Sequence, residues 1–153
     1  VYSLFLFDDG QFRVVDGQIT DGGIGENQIE WYKWAVNGIN QTSGREVPNM
    51  AFMHVPVPEY KELTDNFEMG LRMEDSCTAA VNDGFFDAFK NNGGTHMFAG
   101  HDHLNNFIAE YDGVKMCYYT KSSYNCNFTF KELGGLLITL DQNNNVNLEI
   151  KEF

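Results

Sequence analysis

Positive charge is scarce in this chain: 10 lysines and arginines stand against 22 aspartates and glutamates, a formal net charge of -12. Such a chain has no basic surface to lay along a phosphate backbone, so no nucleic-acid partner is expected. A small phosphate ligand is not excluded, because a bound divalent cation can invert the local field. Cysteine is scarce too. Cys77, Cys117 and Cys126 are too few and too irregularly spaced for a disulfide framework or a zinc knuckle. One bridge, between Cys117 and Cys126, is compatible with the spacing, and so are three reduced thiols. No apolar run approaches the ~20 residues of a membrane span, and no membrane association is expected. The opening residues do not read as a cleavable leader, and the first of them, Val1, already lies inside what reads as a strand. No Walker-type phosphate loop is found. Ser122 and Ser123 lack the strand-turn-helix elbow and flanking glycines of a hydrolase nucleophile.

What is present is enough for a core. The chain has 153 residues, thirteen of them phenylalanine, with two tryptophans, which is the length of one ordinary domain with ample apolar area. Val1 to Phe7 is a hydrophobic run ended by Asp8-Asp9-Gly10 and predicts a buried strand. Residues 10–25, rich in glycine and aspartate, read as a surface loop. Glu26 opens a helix predicted to stop at Asn37-Gly38, with Trp31, Trp34 and Ala35 on its core face. A strand over residues 49–54 is ended by Pro56 and Pro58. Residues 59–74 read as a short helix and a loop, and residues 78–91 as a second helix weakened by Gly84. A short strand over 95–99 follows, then a hairpin turning at Asp112-Gly113. Residues 121–131 are polar and aromatic without a clear period. A terminal hairpin pairs 136–140 with 146–150. Asn40-Gln41-Thr42 and Asn127-Phe128-Thr129 fit the N-glycosylation pattern, so passage through the secretory pathway is one expectation for the localisation.

The chemistry concentrates at four histidines. His96 lies within a strand and reads as a structural, hydrogen-bonded residue. His101 and His103 differ: one residue apart, just past a strand end and after Gly100, they can aim imidazoles at one small volume. His54 stands at the end of another apolar run. Asp102, between the paired histidines, points away from their shared target if the backbone stays extended.

Gly100-His101-Asp102-His103, followed by Leu104-Asn105-Asn106, resembles the Gly-His-x-His motif of the calcineurin-like metallophosphoesterases. His54-Val55-Pro56-Val57-Pro58-Glu59-Tyr60 resembles that family's upstream histidine motif, in the form familiar from purple-acid-phosphatase-like eukaryotic members. The run Leu4 to Gly10 with Gln28 to Trp31, and the stretch from Cys77 through Asn82 to Phe86, agree with it in order and spacing. The resemblance implies an α/β fold in which residues 1–153 are a single partial domain, the C-terminal half of a four-layer α/β/β/α metallophosphoesterase sandwich. It implies phosphoester hydrolysis at two transition metal ions, zinc, iron, manganese or nickel, through a bridging hydroxide. His54 and His101 would hold one ion and His103 the other. Asp102, Asn105 and Glu59 are candidates to support the ligands or face the substrate.

The family's earlier motifs, Asp-x-His, Gly-Asp-x-x-Asp and Gly-Asn-His, do not precede His54. Three imidazoles divided between two ions leave each underliganded, without an anionic bridge. Two readings follow. The chain is one half of a phosphoester hydrolase whose other half comes from a missing N-terminal segment or a second chain, and is inactive by itself. Alternatively, it is a truncated, non-catalytic binding or structural remnant. Half a sandwich should also expose an apolar face.

Overall fold

The computed structural model describes residues 1–10, 12–123 and 133–152. Four strands run parallel: β1 (Ser3–Leu6), β4 (Asn49–Phe52), β5 (Gly94–Ala99) and β7 (Val114–Tyr118). The antiparallel β6 (Ile108–Tyr111) completes a five-stranded sheet in the order β1-β4-β5-β7-β6. The β6–β7 hairpin turns at Asp112-Gly113, both at positive φ, as its sequence predicts. This is a mixed α/β architecture built on a parallel sheet.

One face of the sheet carries helix α1 (Glu26–Ser43), a 3-10 turn (Pro58–Glu62) and helix α2 (Phe85–Lys90). Two buried phenols pin this layer to the strands. Tyr32 on α1 donates to Asn49 Oδ1 at 2.8 Å, and Tyr60 donates to the Met97 carbonyl at 2.9 Å. Each satisfies its hydroxyl while burying a whole ring, which is how a tyrosine serves a core. The other face packs Met50, Phe98, Ile108 and Cys117 against the terminal hairpin, β8 (Gly134–Leu140) and β9 (Val146–Glu152). That hairpin leaves part of β1 uncovered. At the free edge, Leu4 and Leu6 of β1 point to the same face, in register with Met50 and Phe52, and stay exposed.

Several expectations are corrected. The stretch 10–25 is not a loop but contains a ribbon, β2 (Phe12–Val15) and β3 (Gln18–Asp21), turning at Asp16-Gly17. Helix α1 passes through Asn37-Gly38 and stops six residues later at Gly44, which takes the left-handed conformation with φ 67°. Its core line is Ile29, Tyr32 and Val36; Trp34 is 73% exposed, and Trp31 sits at the border against Phe5 and Phe7. The predicted helix over 78–91 shrinks to α2 because Gly84, at φ 80°, is its N-cap rather than an interior residue. β4 ends at Phe52, two residues before His54. Cys77 and Cys117 are free thiols, so Cys117 is not half of a bridge; Cys126 and the tripeptide at Asn127 lie outside the described residues. The tripeptide at Asn40 lies within α1, where Asn40 Oδ1 accepts from the Val47 N–H.

Candidate metal centre

The parallel strands all deliver their carboxyl ends to one edge of the sheet, the place where open α/β sheets present their ligand-binding loops. His54 follows β4 by two residues and His101 follows β5 by two. The two post-strand segments stay bonded beyond the ladder, with Met53 N–H donating to the Phe98 carbonyl and Gly100 N–H to the His54 carbonyl, each at 3.0 Å. Gly100 lets the His54 ring lie close, since a Cβ there would stand 3.3 Å from His54 Nδ1 and the ring would have to give by a few tenths of an ångström. His101 then takes a left-handed backbone, φ 72°, a conformation that costs a non-glycine residue on the order of 1 kcal/mol or more.

The third post-strand segment holds this arrangement in place. Asp9, beyond β1, is buried and its Oδ2 accepts from His54 N–H at 2.7 Å and from Val55 N–H. One carboxylate oxygen therefore anchors the backbone that carries the upstream histidine.

His54 and His101 meet, with Nε2 of the first 3.3 Å from Nδ1 of the second. Donors about 2.0–2.1 Å from a tetrahedral ion stand about 3.3 Å apart, so this pair fits one ion. The other ring nitrogen of His101, Nε2, faces Asp21 Oδ2 at 3.6 Å, and Cys77 Sγ lies 3.6 Å from the same oxygen. Asp21, Cys77 and His101 form a group whose ligand atoms all lie within 4.8 Å of one another, the only such group among the described residues. Burial, followed by the Asp21 charge, pushes the Cys77 thiol above its ordinary pKa.

His103 does not join a close triad with His54 and His101. It lines a small separate cleft with Leu71, Met73 and Thr120. Asp102 is buried and turned to the other side, where it accepts from Cys77 N–H at 3.1 Å and from the Tyr118 hydroxyl. Burial raises its pKa, against those two donors. Asn105 is buried, with Oδ1 accepting from Met73 N–H at 2.9 Å and Glu74 N–H at 3.2 Å; it shapes the loop beside His103. Glu59 accepts from Asn82 Nδ2 at 2.7 Å and so ties the 3-10 turn to the approach of α2. His96 stacks on Phe98 and contacts Thr95 Oγ1 at 2.9 Å, the structural part its sequence position suggests.

A pair of ions fits this set poorly. The two buried carboxylates among the described residues, Asp9 and Asp102, are already engaged by backbone N–H groups. The donors fit a single ion.

Asp21 and Cys77 were missed as site residues in the sequence. The first has a recoverable signal: Asp16-Gly17 between Phe12-Arg13-Val14-Val15 and Gln18-Ile19-Thr20-Asp21 is a favoured two-residue hairpin turn. Cys77 has none, since its approach to His101 is wholly tertiary.

No family model matches the chain. Among curated proteins, the probable inactive purple acid phosphatase 28 of Arabidopsis thaliana is 34% identical over 120 residues, covering 77% of this chain and 30% of the relative. The probable inactive purple acid phosphatase 14 of the same plant is 29% identical over 134 residues, covering 81% of this chain and 33% of the relative. This chain thus spans about a third of the length of the curated relatives it matches. Among solved structures, a dimetal phosphatase from Danio rerio superposes with a TM-score of 0.54 at 14% identity, over 80% of this chain and 34% of that one. That likeness is one of fold.

Proposed function

We propose that this chain, which is a metallophosphoesterase-like domain, is the metal-holding wall of a phosphoester hydrolase and by itself turns over no phosphoester. The supporting observation is the facing pair of His54 and His101, 3.3 Å apart at the carboxyl edge of the parallel sheet. A transition metal there would supply Lewis acidity and a lowered water pKa. The chain's own residues supply position. Asp9 fixes the His54 backbone, Gly100 admits the His54 ring, and the left-handed turn at His101 aims its imidazole across the gap.

The lack of turnover has two supports. A phosphate dianion approaching the histidines meets Asp21 and a chain of net charge -12; without metal, that field repels it. The relatives in Arabidopsis are themselves named as probable inactive phosphatases. A hydrolase would need the remaining ligands, and the exposed Leu4 and Leu6 beside the free edge of β1 offer a seat for the rest of the sandwich, from a longer form of this protein or a second chain. The second reading, a non-catalytic metal-binding remnant, is favoured by the poor fit of the donors to two ions.

The test is hydrolysis of p-nitrophenyl phosphate by the purified 153-residue chain with zinc, manganese, iron or nickel added. No turnover above buffer is expected. Hydrolysis that disappears in His101→Ala would overturn the proposal.

A further inference from the structure

We infer that the chain holds one zinc-class ion between Asp21, Cys77 and His101, a carboxylate-thiolate-imidazole site in place of a dinuclear centre. The inference rests on the reading of this chain as metal-holding, but moves the ion to the opposite nitrogen of the His101 ring, so that His54 orients His101 instead of sharing an ion with it. His101 has two ring nitrogens with two neighbours. Its Nδ1 meets His54 Nε2 at 3.3 Å, and its Nε2 meets Asp21 Oδ2 at 3.6 Å. When Nδ1–H donates to His54, Nε2 carries a lone pair directed at Asp21 and Cys77. A metal-binding histidine is ordinarily held in this way, with the non-ligating nitrogen donating to a partner.

The spacing suits the ion. Zinc lies about 2.0–2.2 Å from nitrogen or oxygen and about 2.3 Å from sulfur, so tetrahedral edges measure about 3.3–3.5 Å. The separations of 3.6 Å from Asp21 Oδ2 to both His101 Nε2 and Cys77 Sγ are a tenth of an ångström above that range, and the third edge, from Cys77 Sγ to the His101 ring, lies within 4.8 Å. The donors come from three segments, each held by contacts of its own backbone or its neighbour. Asp21 closes β3, and the next residue, Gly22, packs so tightly on the Asp9 loop that a Cβ would lie 2.1 Å from the Asp9 carbonyl oxygen. Cys77 is held through its backbone by Asp102, the residue next to His101. His101 is set by the turn after β5. The fourth position faces solvent, since Cys77 is exposed and the other two donors are half-buried. A thiolate selects zinc, or cobalt as its spectroscopic substitute, over magnesium or calcium. Cys77 enters as thiolate, with its proton released to solvent.

The experiment is a cobalt(II) titration of the reduced 153-residue chain, followed by zinc competition. One equivalent is expected, with visible bands of tetrahedral intensity and a near-ultraviolet thiolate-to-cobalt band. Cys77→Ser should remove the thiolate band, Cys77→Ser and Asp21→Asn should each weaken zinc at least about tenfold, and His103→Ala should leave both unchanged. Zinc should also slow alkylation of Cys77 in the unmutated chain, mapped by mass spectrometry, so the outcome does not hang on a variant's folding. Binding of two ions per chain, a cobalt spectrum without a thiolate band, or alkylation of Cys77 indifferent to zinc would each overturn the site. The turnover assay is independent. Hydrolysis by a chain that shows the one-ion thiolate spectrum would sink only the inactive reading.

Discussion

Asp9 carries more of the candidate site than its place in a surface turn suggests, and its removal gives a graded test. One buried carboxylate oxygen accepts from the backbone N–H groups of both His54 and Val55. Asp9→Ala leaves both donors without a partner, at about 1–3 kcal/mol each, so the loss should total roughly 2–6 kcal/mol. Asp9→Asn keeps an acceptor oxygen but not its charge. Hydrogen bonds to an ionised acceptor are about twice as strong as neutral ones, so this change should cost roughly 1–2 kcal/mol. The expected order of stability is wild type, Asn, Ala. Urea unfolding followed by far-ultraviolet dichroism reads it, with the dependence on denaturant unchanged if only the native bonds are lost. Against the 5–15 kcal/mol typical of a domain, the Ala variant should be visibly compromised. An Ala variant within about 0.5 kcal/mol of wild type would mean that water already serves these N–H groups and that Asp9 anchors nothing.

Of three further perturbations, two, at His96 and Gly38, lie away from the site. Burial first, then the Lys115 cation, lower the His96 pKa from 6.5 to about 4, with Glu68 opposing. The unfolded chain therefore takes up a proton near pH 6.5 that the folded chain refuses until about pH 4. Stability should fall as pH drops through that window, by about 1–2 kcal/mol after allowing for the ring's partial exposure. Comparing urea midpoints at neutral and mildly acidic pH for wild type and His96→Gln isolates this term, and an equal acid loss in both would refute it. Among glycines, Gly22→Ala should cost about 1–3 kcal/mol, because its Cβ would meet backbone 2.1 Å away. Gly38→Ala, inside α1 with nothing within 4 Å, should stabilise by about 0.5–1 kcal/mol. Thermal melts of the pair decide; the same sign of shift for both would contradict the packing described.

The parts of this fold legible in sequence are those decided locally. The hydrophobic run before Asp8 became β1, the prolines at 56 and 58 stopped β4 short of His54, and Asp112-Gly113 turned the β6–β7 hairpin. Errors arose where a local signal has two readings. Gly84 looked like a flaw within a helix and is its left-handed start; Asn37-Gly38 looked like a stop and is bridged, with Thr42 Oγ1 donating to the Gly38 carbonyl at 2.8 Å. The tryptophans suggested the core face of α1, yet Tyr32 holds the centre because its hydroxyl finds Asn49 on a distant strand. At the site, the imidazoles of His54 and His101 could be paired by motif, whereas Cys77 reaches its neighbours only through the Asp102 carboxylate and the assembled tertiary fold.

The uncovered flank of the sheet has a consequence for how copies of this chain behave together. Leu4 and Leu6 on β1, and Phe12, Val14 and Ile19 on the β2–β3 ribbon, all face solvent on a body of net charge -12. Apolar strips draw two copies together at contact, while like charge holds them apart at longer range. The reach of that repulsion is about 30 Å at 0.01 M ionic strength and about 3 Å at 1 M. Ionic strength, more than concentration alone, therefore sets whether neighbouring molecules ever come close enough for their bare leucines to touch.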